Sequence, residues 1–150
     1  MTSYNISFTV MYNYSYKKYI LNSISILSNK HLSTKTYIWH KIADSAAGLN
    51  FPLNNLLQIQ VAGKTICIAK KEESLFACTA KCPHAGGILA DGFMDALGNL
   101  VCPLHRYKFN IQNGRNTSGE GYYLKTFPVQ IRAEGIFVGF EESSFWGWLK

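Results

Sequence analysis

From residue 36 onward the apolar positions fall in short, β-branched runs broken by Gly, Pro, Asn and paired charges. Almost no stretch keeps the three-to-four spacing of an amphipathic helix. Residues 36–43 predict a first strand, and residues 50–55 a Pro-containing connection. Residues 57–61 and 64–69 predict two strands around an Ala62-Gly63 turn, and residues 70–74 a charged hairpin loop leading to a strand over 75–79. Further strands are predicted over 99–101, 108–111, 124–127, 129–133 and 136–140, with Asn113-Gly114 and Glu134-Gly135 as tight-turn signals. Residues 88–97 alone allow a helix, and Gly92 and Gly98 limit it to about one turn. Short strands at this spacing predict an all-β fold, an antiparallel sandwich or a partly open barrel.

Composition changes this picture at the N-terminus. Residues 1–36 are rich in Ser, Tyr, Asn and Ile and contain no Gly, Pro, Ala, Asp, Glu or Arg. Their most apolar stretch, 19–27, is broken by Asn22, Ser23 and Ser25 and is too short to span a bilayer. A secretory signal would need small residues at a cleavage site, and a transit peptide favours Arg, so neither pattern is complete. We read 1–36 as a poorly ordered extension without chemistry, consistent with a start placed upstream of the fold. Residues 37–150 are read as one domain; 47% hydrophobic content in 150 residues allows one core and leaves no room for a second large one.

The net charge of +6 follows the same division. Residues 1–43 hold five Lys and no acid, whereas the remainder balances ten Lys or Arg against nine Asp or Glu. The body therefore lacks the basic face of a nucleic-acid binder. With no membrane span or secretion signal, a cytoplasmic protein is expected. Cys67 and Cys78 sit inside apolar strand patterns and read as small buried hydrophobes.

The candidate chemistry lies in Cys82-Pro-His84 and Cys102-Pro-Leu-His105, with residues 85–101 between them. A Rieske centre holds one iron of a two-iron, two-sulfide unit with two Cys and the other with two His. Each loop supplies one ligand of each kind, so neither suffices alone. The cofactor-binding and metal-ligating residues are therefore read as Cys82, His84, Cys102 and His105, around one 2Fe-2S cluster. Gly86 and Gly87 let the backbone approach the sulfides, and Pro83 and Pro103 stiffen each loop. Two His in place of two Cys raise the potential to about −150 to +300 mV, from roughly −400 mV in all-Cys plant-type centres. Cys2His2 is also a structural zinc set, and ligand identity alone leaves it open. Fingers, however, place Cys with Cys and His with His along the chain.

Around these residues the sequence resembles the Rieske ferredoxin family over residues 37–141, through Cys82-Pro-His84-Ala-Gly-Gly87, Cys102-Pro-Leu-His105, Phe109 and Asn113-Gly114. The resemblance implies a Rieske-like antiparallel β-sandwich with an inserted cluster-binding subdomain. Quinol-oxidising members carry a disulfide between the loops where this chain has Gly87 and Leu104, and a hydroxyl donor where it has Tyr107. That difference implies a soluble, low-potential carrier. Arg106 stands where many members have Gly, and Gly119-Glu-Gly-Tyr-Tyr123 where many have a Pro-bearing covering loop; Tyr122 or Tyr123 is expected to cover the centre or to be an ordinary strand-edge tyrosine.

The expected function is one-electron transport from a flavin-type reductase to a terminal oxygenase or similar redox enzyme, with no catalytic residue. His31 and His40 belong to no catalytic pattern. The alternatives are the small subunit of an assimilatory nitrite reductase, the isolated Rieske part of a ring-hydroxylating oxygenase, and a zinc-stabilised interaction module. Lys81, Arg106 and Lys108 beside the ligands read as a solvated surface or as a basic docking rim. Phe145, Trp146 and Trp148 read as packing residues rather than a partner patch.

Overall fold

The computed structural model describes residues 35–142. The strands are β1 (Tyr37–Ala43), β2 (Leu56–Val61), β3 (Lys64–Lys71), β4 (Ser74–Thr79), β5 (Phe93–Met94), β6 (Asn99–Val101), β7 (Lys108–Asn110), β8 (Thr126–Phe127), β9 (Val129–Arg132) and β10 (Gly135–Glu141). They form three antiparallel sheets, ordered β1-β10-β9, β2-β3-β4-β8 and β5-β6-β7. Among the described residues there is no α-helix, only 3-10 turns at Ala46–Gly48 and Leu89–Asp91.

Alternation along β3 explains how the middle sheet serves two neighbours. Ile66 and Ile68 join Val61, Leu75 and Ala77 against Ile136, Val138 and Phe140 of β10, which makes the sandwich core. Cys67 and Ala69, on the opposite face, join Cys78, Leu100, Phe109 and Leu124 in a second core beneath the β5-β6-β7 sheet. A strand buried on both faces reads as a continuous apolar run, and 66–69 does so. Burying an Ile such as Ile68 contributes about 1.5–3 kcal/mol.

The β5-β6-β7 sheet is an insertion between β4 and β8. Those two strands pair through Ala77 with Phe127 and Cys78 with Thr126. The Thr79 N–H donates to the Lys125 carbonyl at 3.0 Å, closing the base of the excursion. The expected sandwich with an inserted subdomain is therefore the observed architecture.

Four local expectations change. The turn expected at Glu134-Gly135 moves back one residue, because Gly135 already pairs with Arg132 and leaves Ala133 and Glu134 as the hairpin loop. The 70–74 loop shrinks to Glu72 and Glu73, because Glu72 takes a left-handed conformation (φ 54) and the ladder continues through Lys71 opposite Ser74. The 88–97 segment makes one 3-10 turn and then β5, which pairs with Val101 and Leu100. Gly92 permits this, since a Cβ there would lie 2.1 Å from the Val101 carbonyl oxygen. The strand expected over 124–127 is reduced to Thr126–Phe127, while Leu124 is fully buried in the second core.

Asn54 ties the two parts together. Its Nδ2 donates to the Ala90 and Gly92 carbonyls at 2.8 and 3.1 Å, and its Oδ1 accepts from the Leu56 N–H at 3.3 Å. Removing the amide leaves two carbonyls unpaired, so Asn54→Ala is expected to lower stability by about 1–3 kcal/mol. Urea unfolding checks this; an unchanged midpoint would show that the tie carries no load.

Candidate metal centre

Both ligand loops are built on one backbone frame. In the first, the Cys82 N–H donates to the Gly87 carbonyl at 2.8 Å and the Gly86 N–H to the Cys82 carbonyl at 2.9 Å. In the second, the Cys102 N–H donates to the Tyr107 carbonyl at 2.9 Å and the Arg106 N–H to the Cys102 carbonyl at 3.1 Å. The fifth residue of each frame is left-handed: Gly86 with φ 72 and Arg106 with φ 61. Glycine takes that conformation freely, whereas Arg carries about 1–2 kcal/mol of strain. The sequence signal for this was available, because aligning the two Cys-Pro loops sets Arg106 against Gly86.

The two glycines of the first loop do different work. Open space surrounds the Cβ direction of Gly86, so its role is conformational. A Cβ on Gly87 would lie 2.9 Å from Leu104 Cγ and 3.1 Å from Cys102 Sγ. The loops therefore meet tip to tip at residues 87 and 104, packed without a covalent bridge.

This frame brings all four expected site residues into two pairs. Cys82 and Cys102 are buried, with relative exposures of 3% and 1%. The His84 and His105 rings stand 4.8 Å apart between centroids at 74°, His84 half-buried and His105 exposed. Burial raises the Cys82 thiol above its ordinary value; the backbone N–H of His84 donates to the sulfur and lowers it, and the neighbouring Cys102 thiol adds to the rise. Iron at this position would displace the proton outright. His84 Nδ1 is buried without a hydrogen-bond partner. An orphaned ring nitrogen of this kind requires an explanation, and a metal ligand bond is one.

Among the described residues, no three Cys, His, Asp or Glu side chains gather around one point as a single ion would need. A thiol pair beside an imidazole pair suits two metal positions, each taking two protein donors. It does not suit one tetrahedral zinc.

The surroundings of the pairs sort the remaining candidates. Tyr107 and Tyr122 stand over His84, with ring centroids at 4.5 and 5.0 Å. Tyr123 is 61% exposed and bridges to Arg115, so the covering role falls to Tyr122. The Arg106 guanidinium lies 5.4 Å from the centroid of the Phe93 ring. Lys108 Nζ is 3.5 Å from an Asp95 carboxylate oxygen, which engages its charge within the domain. Cys67 and Cys78 are paired in register and free; the hydrogen bond from Cys67 first, and burial second, push the Cys78 thiol well up. Such thiols are unreactive. His40 lies on β1 against Phe140, at 5.3 Å between ring centroids. Residues 1–34, with His31, and the aromatic residues 145, 146 and 148 lie outside the described residues.

Residues 39–128 match the Rieske [2Fe-2S] domain. The chain belongs to the Rieske family. Its cofactor is a Rieske-type 2Fe-2S cluster, which fits the donors described above, and the protein is a Rieske ferredoxin-type electron carrier. Over 99 residues it is 27% identical to the ferredoxin component of a naphthalene 1,2-dioxygenase system from Pseudomonas aeruginosa, covering 65% of this chain and 94% of that protein. In fold, this Rieske protein resembles a Mycobacterium tuberculosis protein described as the small subunit of an NADH-dependent nitrite reductase (TM-score 0.62, 15% identity, 71% of this chain and 98% of that one). It also resembles a chain from the complex of reduced oxygenase and oxidised ferredoxin of carbazole 1,9a-dioxygenase (TM-score 0.59, 22% identity, 72% of this chain and 98% of that one). No helix among the described residues is long and apolar enough to cross a membrane.

Proposed function

We propose that Cys82 and Cys102 hold one iron, that His84 and His105 hold the other, and that this protein passes single electrons from a flavin-type reductase to a terminal oxygenase in the cytoplasm. The observation that carries the reading is the polarity of the site. Its thiol pair is buried in the second core, while its imidazole pair reaches the surface at the exposed His105. When bound, the cluster supplies a one-electron couple whose potential the two His ligands raise. The protein's residues would position it: the loop frame holds both Cys, the buried His84 Nδ1 has no other partner, and the exposed His105 offers the short path to a partner protein. The likeness to a dioxygenase ferredoxin component across nearly that protein's whole length supports the choice of acceptor.

The test is reconstitution with NADH, a flavin reductase and the terminal component of a ring-hydroxylating dioxygenase. The visible bands should bleach on reduction and return when the oxygenase is added with substrate and oxygen. A reduced protein that no oxygenase reoxidises, yet a nitrite reductase flavoprotein does, would overturn the choice of acceptor.

Arg106 bears on docking because it is exposed, next to His105 and stacked on Phe93. Charge reversal, Arg106→Glu, is expected to slow transfer to the oxygenase by roughly tenfold at low ionic strength, with the difference fading as salt rises. Stopped-flow rates across a salt series check this. Equal rates at low salt would remove Arg106 from the interface.

A further inference from the structure

We propose that Tyr107 and Tyr122 form an aromatic cap over His84 that keeps water from that side of the centre and so holds its potential below the value the same four ligands would give uncapped. The inference rests on the ligand assignment above and concerns two tyrosines that hold no metal themselves.

The geometry is specific to one of the two histidines. The Tyr107 ring meets the His84 ring at 4.5 Å and 77°, and the Tyr122 ring meets it at 5.0 Å and 59°. The two tyrosines also touch one another, at 5.5 Å between centroids. Edge and tilted contacts at these distances are the favourable arrangements for aromatic pairs. His84 thus packs against three rings, the third being His105, which remains exposed on its other side.

The two tyrosines arrive from separate segments. Tyr107 follows the second ligand loop, one residue after the left-handed Arg106. Tyr122 comes from the stretch before Leu124, whose N–H donates to the Gly114 carbonyl at 2.9 Å and whose side chain is buried in the second core. That anchor holds Tyr122 over His84 although Tyr122 itself is 38% exposed.

The sign of the effect follows from charge. Two ferric ions, two sulfides, two thiolates and two neutral imidazoles sum to zero, and one added electron makes the reduced unit −1. Excluding water penalises the charged form more than the neutral one. The cap therefore favours the oxidised state and lowers the potential. Opening it should raise the potential.

The experiment measures the reduction potential of the holoprotein and of its Tyr122→Ala, Tyr107→Ala and Tyr122→Phe variants, by film voltammetry or by redox titration followed by EPR. Tyr122→Ala and Tyr107→Ala should both shift the potential upward, with the double variant shifting it by less than the sum because the two rings cover the same His84 ring and touch each other. Tyr122→Phe should leave it near the parent value, since the ring and not the hydroxyl excludes water. Pulsed EPR of the reduced protein in deuterated water should show stronger deuterium coupling in the Ala variants. An unchanged or lowered potential in Tyr122→Ala, with unchanged deuterium coupling and an intact Rieske EPR signal, would overturn the cap while leaving the ligand assignment in place. A parent protein without acid-labile sulfide would overturn both.

Discussion

Cys102→Ala should purify colourless, with acid-labile sulfide and iron reduced to background, while the parent carries two of each per chain. Cys102 is 1% exposed and lies in the second core. Its loss would leave one iron with Cys82 as its sole protein ligand. Burial at 1% exposure would keep water from replacing the lost thiolate, so Cys82 alone would have to hold that half of the cluster. The sandwich core is made by other residues, Ile66, Ile68, Val138 and Phe140 among them, so the far-ultraviolet circular dichroism of β structure should remain. Iron and sulfide analysis beside the spectrum separates loss of the centre from loss of the fold. A full complement of iron and sulfide in Cys102→Ala would remove Cys102 from the ligand set.

The second large effect concerns Gly114. Its φ of 75 is left-handed, and a Cβ there would lie 1.8 Å from the Leu124 carbonyl oxygen, which is backbone and cannot swing aside. The Gly114 N–H donates to Asn110 at 2.8 Å and its carbonyl accepts from Leu124, so moving it would disturb both the end of β7 and the segment that carries Tyr122. Gly114→Ala should therefore cost at least about 3 kcal/mol, combining backbone strain with an unrelievable contact. Gly63 supplies the control: its φ is also 75, but nothing lies within 4 Å of its Cβ direction. Gly63→Ala should cost only the left-handed penalty, about 1 kcal/mol. Chemical denaturation of the two variants isolates the steric part, and equal losses would show that close approach at Gly114 is relieved elsewhere.

Much of the fold was legible in the chain because its signals are local. The Ala62-Gly63 turn places both residues at positive φ, 48 and 75, as a two-residue hairpin demands. The strand over 64–69 was expected, and its burial on both faces came from the structure. Where local signals conflict with pairing, pairing prevails. Lys70, Lys71 and Ser74 joined the ladder, leaving only Glu72 and Glu73 as the turn, and Phe93–Met94 became a strand because Leu100 and Val101 were there to receive it. At the site, the four donor types and their coupling in two Cys-Pro loops could be read directly. The strain at Arg106 was signalled twice, by Gly at that place in many family members and by Gly86 at the matching place in the first loop.

Which side chains stand over which histidine depends on segments distant in sequence. Tyr122 and Tyr123 are adjacent and chemically alike, yet one packs on His84 and the other faces solvent. Lys81, Arg106 and Lys108 looked equivalent until Asp95 engaged the last of them. The sequence by itself determined the coupling of Cys with His in two like loops, the strand periodicity and the uneven charge, since each depends on residue type and spacing along the chain. The tertiary structure decided that thiols lie buried and one imidazole exposed, and which tyrosines cap the other. Those outcomes depend on the β4–β8 closure that brings residues 82, 102 and 122 together, a relation through space that no local pattern encodes.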